Sequence, residues 1–576
     1  MPCPRRPAPV LVAFAACAAL LAPLGEAVPG QAALSREWKR LPGAQFTIVG
    51  TSSAQDLAQL SVELETFLAV LQQMTPSLRL ASSVPTYVVA LKDFGAFTDF
   101  QPRGPSGRRV EWVAGYFSPG LDGNYLVAPW GGKDRQSLAV MLHELTHHLA
   151  NRNVGGVPTW LAEGVAEFYS TFRIDSDRSL AIVGEVPKDR LRSLVGQSLM
   201  PLDRLFAVTS TREFSNSPVE LAMFYAQSWA LVHYLYLGQE GARTRQIGAY
   251  LRALERGQER STAFTLAFGS TYDELGRELV KYVRDLAFPF VKLKPAGMGG
   301  MTPDASRVAP MAEAEAAALQ AVLLMRMGAV SEAGAALDKA MAQPPSDLQT
   351  RLALDRVRRQ LGRKGDEAAQ FEQLAALAAQ TAAVKPLDAA TWYHLSLAAL
   401  AAGKEADSDA ALAEALRLHP DVDVHRQRAY TAFALGNDVV AARDVRAYLQ
   451  APVRDTESAP YMAFLGALAL RRLKQEDEAS RLLAGIATAV AAGTWTGKVL
   501  DYMQRKLPAA ALLAAAANDG ERTEAHTYVG FDEALAGRRP EAIAHFRWVK
   551  EKGSRDFVEY PLAVAELVRL ESAPAK

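Results

Sequence analysis

The segment His143-Glu144-Leu145-Thr146-His147 constrains the fold of this chain more than any other stretch. It lies in a run from about Asp134 to Asn151 whose apolar spacing predicts an amphipathic helix. Residues four apart share one face of a helix, so the two imidazoles can bind a single metal ion. Glu144 lies one step round the helix, within reach of a water molecule held there. The alternative interpretation is a solvated helix that merely carries two histidines.

A third metal ligand should come from outside this segment, because a catalytic zinc usually has three protein ligands and one open position. Both cysteines, Cys3 and Cys17, lie in the N-terminal leader. His148 projects about 100° away from His147 around the helix. The expected ligand is therefore a carboxylate, and Glu163 and Glu167 follow in a second helical pattern. Either could bind the metal while the other hydrogen-bonds a ligand histidine, and spacing alone leaves that assignment open.

Two short motifs carry a family resemblance. H-E-L-T-H at residues 143–147, followed by W-L-A-E-G-V-A-E at residues 160–167, resembles the gluzincin metallopeptidases. The similarity is greatest to the peptidase-MA-like domains and more distant to the M1 aminopeptidases. It implies an α+β zincin-like catalytic domain that binds Zn2+ through His143, His147 and Glu163.

The same resemblance assigns two further residues. Thermolysin-like members of the group have an acidic residue that orients the first histidine, and Glu167 occupies that position. Residues 224–235 resemble the M1 helix whose tyrosine hydroxyl stabilises the oxyanion, and Tyr225 matches that tyrosine. Packing of an aromatic ring between helices is the alternative role for Tyr225.

The predicted activity is hydrolysis of peptide bonds in a peptide or protein substrate. A zinc-bound water would attack the carbonyl, with Glu144 as general base and then as proton donor to the leaving amine. We find no motif upstream of His143 that would hold a free amine, which weakly favours an endopeptidase. Two alternatives remain: a catalytically inactive exported scaffold whose repeats bind a partner, and a hydrolase acting on a non-peptide amide.

Residues 1–32 are typical of a secretory signal peptide. Arg5 and Arg6 precede an apolar run, residues 10–24, that is too short to span a bilayer comfortably, and small-residue cleavage sites follow. We therefore expect an exported protein, periplasmic or secreted, without a stable membrane span. Basic and acidic residues number 63 each, and this neutral balance disfavours nucleic acid as a partner.

The predicted catalytic domain comprises residues 33–290. Strands are expected at residues 38–50, 86–91, 110–117 and 124–128, before the metal-binding helices. The last two form a hairpin that could bind extended substrate at its edge, or serve only as scaffold.

The remaining chain changes in character. Residues 291–310 are rich in proline and glycine and predict a linker. Residues 311–576 are rich in alanine and leucine with helical periodicity, and Gly328, Gly365, Gly403 and Gly436 recur in similar settings. This pattern predicts an all-α domain of tetratricopeptide-like helical repeats, on which a protein partner could bind. An irregular α-helical domain is the alternative.

Overall fold

The computed structural model has an α+β region followed by a long all-helical region, in the order expected from the sequence. Of the predicted leader, only residues 12–15 belong to the part that is described. The structure describes residues 12–15, 37–80, 84–104, 108–110, 113–120, 123–132, 134–153, 157–214, 217–296, 302–363, 365–420, 422–451, 458–487, 490, 493–554 and 557–572.

The strands are numbered in chain order over the described residues. They are β1 Val12–Ala15, β2 Lys39–Pro42, β3 Thr47–Gly50, β4 Thr86–Leu91, β5 Val113–Ser118, β6 Asn124–Pro129, β7 Arg173–Ile174, β8 Ala181–Val183, β9 Val291–Leu293 and β10 Ala309–Pro310.

The α-helices fall into two groups. Those of the α+β region are α1 Ala54–Met74, α2 Phe94–Thr98, α3 Arg135–Asn153, α4 Thr159–Ser170, α5 Lys188–Gly196, α6 Leu202–Ala207, α7 Pro218–Leu237, α8 Thr244–Glu255, α9 Arg260–Phe268 and α10 Tyr272–Asp285. Those of the helical region are α11 Glu313–Arg326, α12 Val330–Ala342, α13 Leu348–Gln360, α14 Glu367–Ala382, α15 Ala389–Ala401, α16 Glu405–Leu418, α17 Asp423–Leu435, α18 Asp438–Gln450, α19 Ala459–Arg472, α20 Glu476–Gly485, α21 Trp495–Met503, α22 Ala509–Ala515, α23 Asp519–Leu535, α24 Arg539–Lys552 and α25 Glu559–Ser572.

A mixed sheet organises the first region. Its strand order is β1-β5-β6-β4-β3-β2-β10, and β3, β4 and β6 run parallel to one another in the centre. β4 and β6 are rich in valine, leucine and tyrosine and are almost wholly buried, as central parallel strands covered on both faces usually are. β5 pairs antiparallel with β6, which confirms the expected hairpin.

The predicted single strand at residues 38–50 is wrong, because the structure divides it into β2 and β3. The Gly43 N–H donates to the Phe46 carbonyl at 3.0 Å and closes the turn between them. β2 and β3 then pair antiparallel, with Leu41 opposite Ile48. A local hairpin therefore replaces one long strand.

Helices cover the two faces of the sheet from different parts of the chain. Successive strand residues point to opposite faces. One row, Ile48, Val88 and Leu126, packs in the core that includes α1 and α3. The adjacent row, Val49, Val89 and Val127, packs in a second core with α11, α12 and α13. The first helices of the helical region thus complete the core of the α+β region.

The segment expected to be a linker, residues 291–310, is paired with sheet strands at both ends. β9 adds to β8 in a small sheet of three strands, and β10 adds to β2 at the edge of the large sheet. The Arg307 guanidinium also donates to the Pro42 carbonyl at 2.9 Å. Residues 297–301 lie outside the described part. The breaker-rich composition did not reveal these long-range pairings.

The helical region packs as successive helix pairs, among them α11 with α12, α15 with α16 and α17 with α18. In the turns of these three pairs Gly328, Gly403 and Gly436 have φ of 75°, 73° and 83°, a region that favours glycine. Before α14 the left-handed residue is Gly362 rather than Gly365. None of the helices in the described part combines the length and apolar character needed to cross a membrane.

Candidate metal centre

Two helices bring three potential metal ligands together. His143 and His147 lie one turn apart on α3, and Glu163 lies in the first half of α4. The two imidazole Nε2 atoms are 3.1 Å apart. A carboxylate oxygen of Glu163, Oε2, lies 3.2 Å from Nε2 of His147 and 3.5 Å from Nε2 of His143. The structure therefore brings together the three side chains expected to form the site.

Close helix packing positions the carboxylate. α4 carries Gly164 directly after Glu163, and an added Cβ there would lie 2.4 Å from the Ser228 carbonyl oxygen of α7. α3 in turn buries Leu142 and Leu145 in the core beneath the sheet. The glycine of the W-L-A-E-G motif thus allows α4 to approach α7 closely, which fixes the position of the neighbouring glutamate.

The donor geometry fits a small divalent cation. Zinc binds imidazole nitrogen and carboxylate oxygen at about 2.0–2.2 Å, which puts ligand atoms about 3.3–3.6 Å apart in a tetrahedral site. The three donor atoms here are 3.1–3.5 Å apart. Two imidazoles and one carboxylate are also a ligand set that zinc favours. Within the described residues this is the one cluster of three such groups.

The ionisation state of Glu163 is suited to binding a metal ion. Burial would raise the pKa of this carboxyl, but the imidazoles of His147 and His143 outweigh burial and lower the pKa below its ordinary value. The carboxylate is therefore ionised at neutral pH and available to a cation.

Glu144 is also buried, but its pKa shifts in the opposite direction from that of Glu163. Its side chain is 0 % exposed, and neither carboxyl oxygen makes a hydrogen bond of normal geometry within the described residues. Burial and the nearby Glu163 carboxylate raise the pKa of Glu144 well above its ordinary value, and the backbone of Phe117 offsets this only in part. A buried polar group without partners is costly. Its place beside three potential metal ligands makes it a candidate for a chemical role.

Glu167 approaches His143 on the side of the ring that faces away from His147 and Glu163. Its Oε1 lies 3.6 Å from Nδ1 of His143, the ring nitrogen that faces away from the ligand cluster. Arg190 of α5 holds both oxygens of Glu167, at 2.7 and 3.0 Å. Burial would raise the pKa of Glu167, but Arg190 lowers it below the ordinary value. An ionised carboxylate at this place can hold the imidazole of His143 in one orientation.

Sequence reasoning missed Arg190. It lies 23 residues beyond Glu167 on a separate short helix, and no motif marks it. Only the tertiary fold brings the guanidinium to the carboxylate. Nothing in the local sequence distinguishes Arg190 from Arg192 on the same helix.

Replacing Arg190 with methionine should weaken zinc binding about 10- to 100-fold, because a residue that orients a ligand is removed and Glu167 is left buried and unpaired. Competition with a zinc chelator measures the affinity. Arg192→Met is the matched control, since the Arg192 side chain is 81% exposed on the same helix. Equal affinities of the two variants would contradict this role.

Tyr225 lies on α7 beside the ligand cluster. Its ring centroid is 6.5 Å from that of His143, and the Arg190 guanidinium carbon lies 5.0 Å from its ring centre. Burial, together with the Glu163 and Glu167 carboxylates, raises the pKa of the phenol well above its ordinary value. The hydroxyl therefore keeps its proton and can act as a hydrogen-bond donor.

His148 does not join the cluster. Its ring stacks on Phe117 of β5, with centroids 4.3 Å apart. This agrees with the expectation that it projects away from His147.

Comparison with known proteins adds one match. The family described as a protein of unknown function (DUF1570) matches residues 137–253 of this chain. That range contains all the residues of the centre, including Arg190 and Tyr225. No curated protein matches the chain. The description names no activity, so the case for function rests on the geometry of the site.

Proposed function

We propose that this protein is an exported zinc-dependent peptidase with a zincin-like catalytic domain of the gluzincin type. The main supporting observation is the combination of three clustered donors, from His143, His147 and Glu163, with the buried carboxyl of Glu144, which makes no hydrogen bond of normal geometry within the described residues. A purely structural metal site has no use for that fourth group.

Each residue has a distinct task in this proposal. His143, His147 and Glu163 would hold Zn2+, which supplies Lewis acidity to water and to a peptide carbonyl. Glu144 takes the proton of the attacking water and passes it to the leaving amine. Its raised pKa suits the delivery of that proton to the amine. Glu167, held by Arg190, keeps the imidazole of His143 in one orientation.

Tyr225 is the proposed donor to the oxygen on which negative charge develops. Tyr225→Phe should lower kcat about 10²-fold with little change in stability, because one preorganised hydrogen-bond donor is lost. Steady-state hydrolysis of a cleaved peptide measures this. Tyr250→Phe is the control, since Tyr250 is equally buried but its hydroxyl has no hydrogen-bond partner within the described residues. Wild-type turnover by Tyr225→Phe would assign Tyr225 to packing alone.

In this proposal, removal of the leader on export also opens the edge of β5 to substrate. We infer that the leader, residues 1–32, is removed on export, and β1 leaves with it. β5 would then be the edge strand beside α3, free to pair with an extended peptide. The helical repeats, of tetratricopeptide type in this proposal, would bind the substrate protein or a partner.

A peptide-library digest tests the proposal. The zinc-loaded protein lacking residues 1–32 is incubated with a mixed peptide pool, with and without a chelator, and the products are identified by mass spectrometry. Cleavage that the chelator stops and zinc restores supports a peptidase. A protein that binds zinc but cleaves no peptide would instead be the inactive exported scaffold.

A further inference from the structure

Arg326, the last residue of α11, holds the loop between β5 and β6. Its guanidinium donates to the Ser118 hydroxyl at 3.0 Å, to the Pro119 carbonyl at 3.2 Å and to the Gly123 carbonyl at 3.1 Å. Its central carbon also lies 4.7 Å from the ring centre of Tyr125. One side chain of the helical region thus binds both ends of this loop.

The strand end held by Arg326 lies against the candidate centre. Phe117 directly precedes Ser118 on β5, and its ring stacks on His148 of α3 at 4.3 Å. β5 also packs along α3, the helix that carries Glu144. Glu144 and His148 lie one turn apart on α3, so displacement of this strand end changes the packing around the Glu144 side chain.

Two ion pairs also join the α+β region to the first helices of the helical region, but they differ from the contacts of Arg326. Arg40 of β2 pairs with Glu315 of α11, and Arg103 pairs with Glu332 of α12. Those pairs join one side chain to another. Arg326 instead uses the rigid fork of its guanidinium to bind main-chain carbonyls and a hydroxyl, so it determines where the backbone of the loop lies.

We propose that Arg326 is a positioning residue that fixes the C-terminal end of β5 and, through Phe117, the setting of Glu144. The inference deepens the proposed function, because its catalytic consequence depends on the peptidase reaction. It makes the first helix of the helical region part of the support of the centre. The helical region then acts on catalysis as well as on binding.

Hydrogen exchange on the metal-free protein lacking residues 1–32 is the first test. Arg326→Met should speed amide exchange about tenfold in fragments covering residues 113–126, because the loop loses its anchor. Arg40→Met, at the same boundary, should leave those fragments as in the wild type. Unchanged exchange in Arg326→Met, or an equal increase in both variants, overturns the inference.

Turnover is the second test, on a peptide that the wild type cleaves. Arg326→Met should lower kcat about tenfold with KM and zinc affinity within twofold of wild type, since a displaced general base costs rate rather than binding. Arg326→Lys should recover part of the loss, and Arg40→Met should match the wild type. Faster exchange without loss of kcat refutes the link to Glu144. If no chain, wild type included, cleaves any peptide, the proposed function fails, while the exchange data still decide whether Arg326 fixes the strand.

Discussion

Replacing Glu144 with glutamine is expected to lower peptide hydrolysis by about 10²- to 10⁴-fold while zinc binding stays near the wild-type level. Glutamine keeps the size of the side chain but cannot accept the proton of water. The three ligands are untouched, because Glu144 lies outside the cluster formed by His143, His147 and Glu163. Initial rates at saturating zinc, together with metal content per chain, measure both effects.

The matched control is Glu63→Gln, which changes another buried glutamate on α1, remote in sequence from the motif, and should leave the rate unchanged. The metal-free Glu144→Gln protein should be at least as stable as the wild type. It replaces a buried carboxyl that makes no hydrogen bond of normal geometry within the described residues. Hydrolysis at the wild-type rate by Glu144→Gln would remove Glu144 from the reaction.

A chain that ends at residue 310 is expected to lose cooperative folding of the α+β region. Truncation there exposes the apolar cluster in which α11 packs, including Val49 and Tyr116 of the sheet and Phe97 of α2. Each large apolar side chain returned to water costs about 1.5–3 kcal/mol. Several of them together are comparable to the whole stability of a domain, about 5–15 kcal/mol. Thermal unfolding followed by near-UV circular dichroism measures the loss.

A second truncation serves as the control. A chain that ends at residue 420 keeps α11–α16, so both faces of the sheet stay covered, and the contacts that are opened, such as Arg428 to Asp409, join helices of the helical region. It should melt cooperatively and bind zinc. The account is wrong if the chain ending at residue 310 unfolds with the same midpoint as the longer one.

The clustering of the candidate metal ligands was largely predictable, because it depends on short motifs in the sequence. The four-residue spacing of His143 and His147 places both on one helical face. Glu163 follows within a second short motif, and the structure brings it to both imidazoles. Arg190 was not predictable, since its link to Glu167 depends on where the fold places α5, which packs on α7, rather than on any residue nearby in sequence.

In the fold as well, features specified by local sequence were predicted and pairings between distant segments were not. The residues of β4 were predicted with their observed bounds, because a run of β-branched and aromatic residues specifies a buried strand by itself. The pairings of β9 and β10 were missed. Proline and glycine in residues 291–310 indicate breaks in secondary structure, but they do not indicate which distant strand a segment pairs with.

The burial of α11, the first helix of the helical region, could have been predicted from the sequence. α11 buries residues on all its sides, including Ala317, Leu323 and Leu324. A helix that is apolar all round usually lies inside a core. That pattern in the sequence could have placed α11 against the sheet and thereby shown that residue 310 is not the edge of the core.

Zinc titration of the metal-free protein, with X-ray absorption spectroscopy of the loaded form, tests the central claim most directly. We predict one zinc per chain, bound by two imidazole nitrogens and a carboxylate oxygen at about 2.0–2.2 Å. His147→Ala and Glu163→Ala should lose this binding, whereas His148→Ala should keep it. Absence of stoichiometric zinc, or equal affinity in wild type and His147→Ala, would contradict the claim.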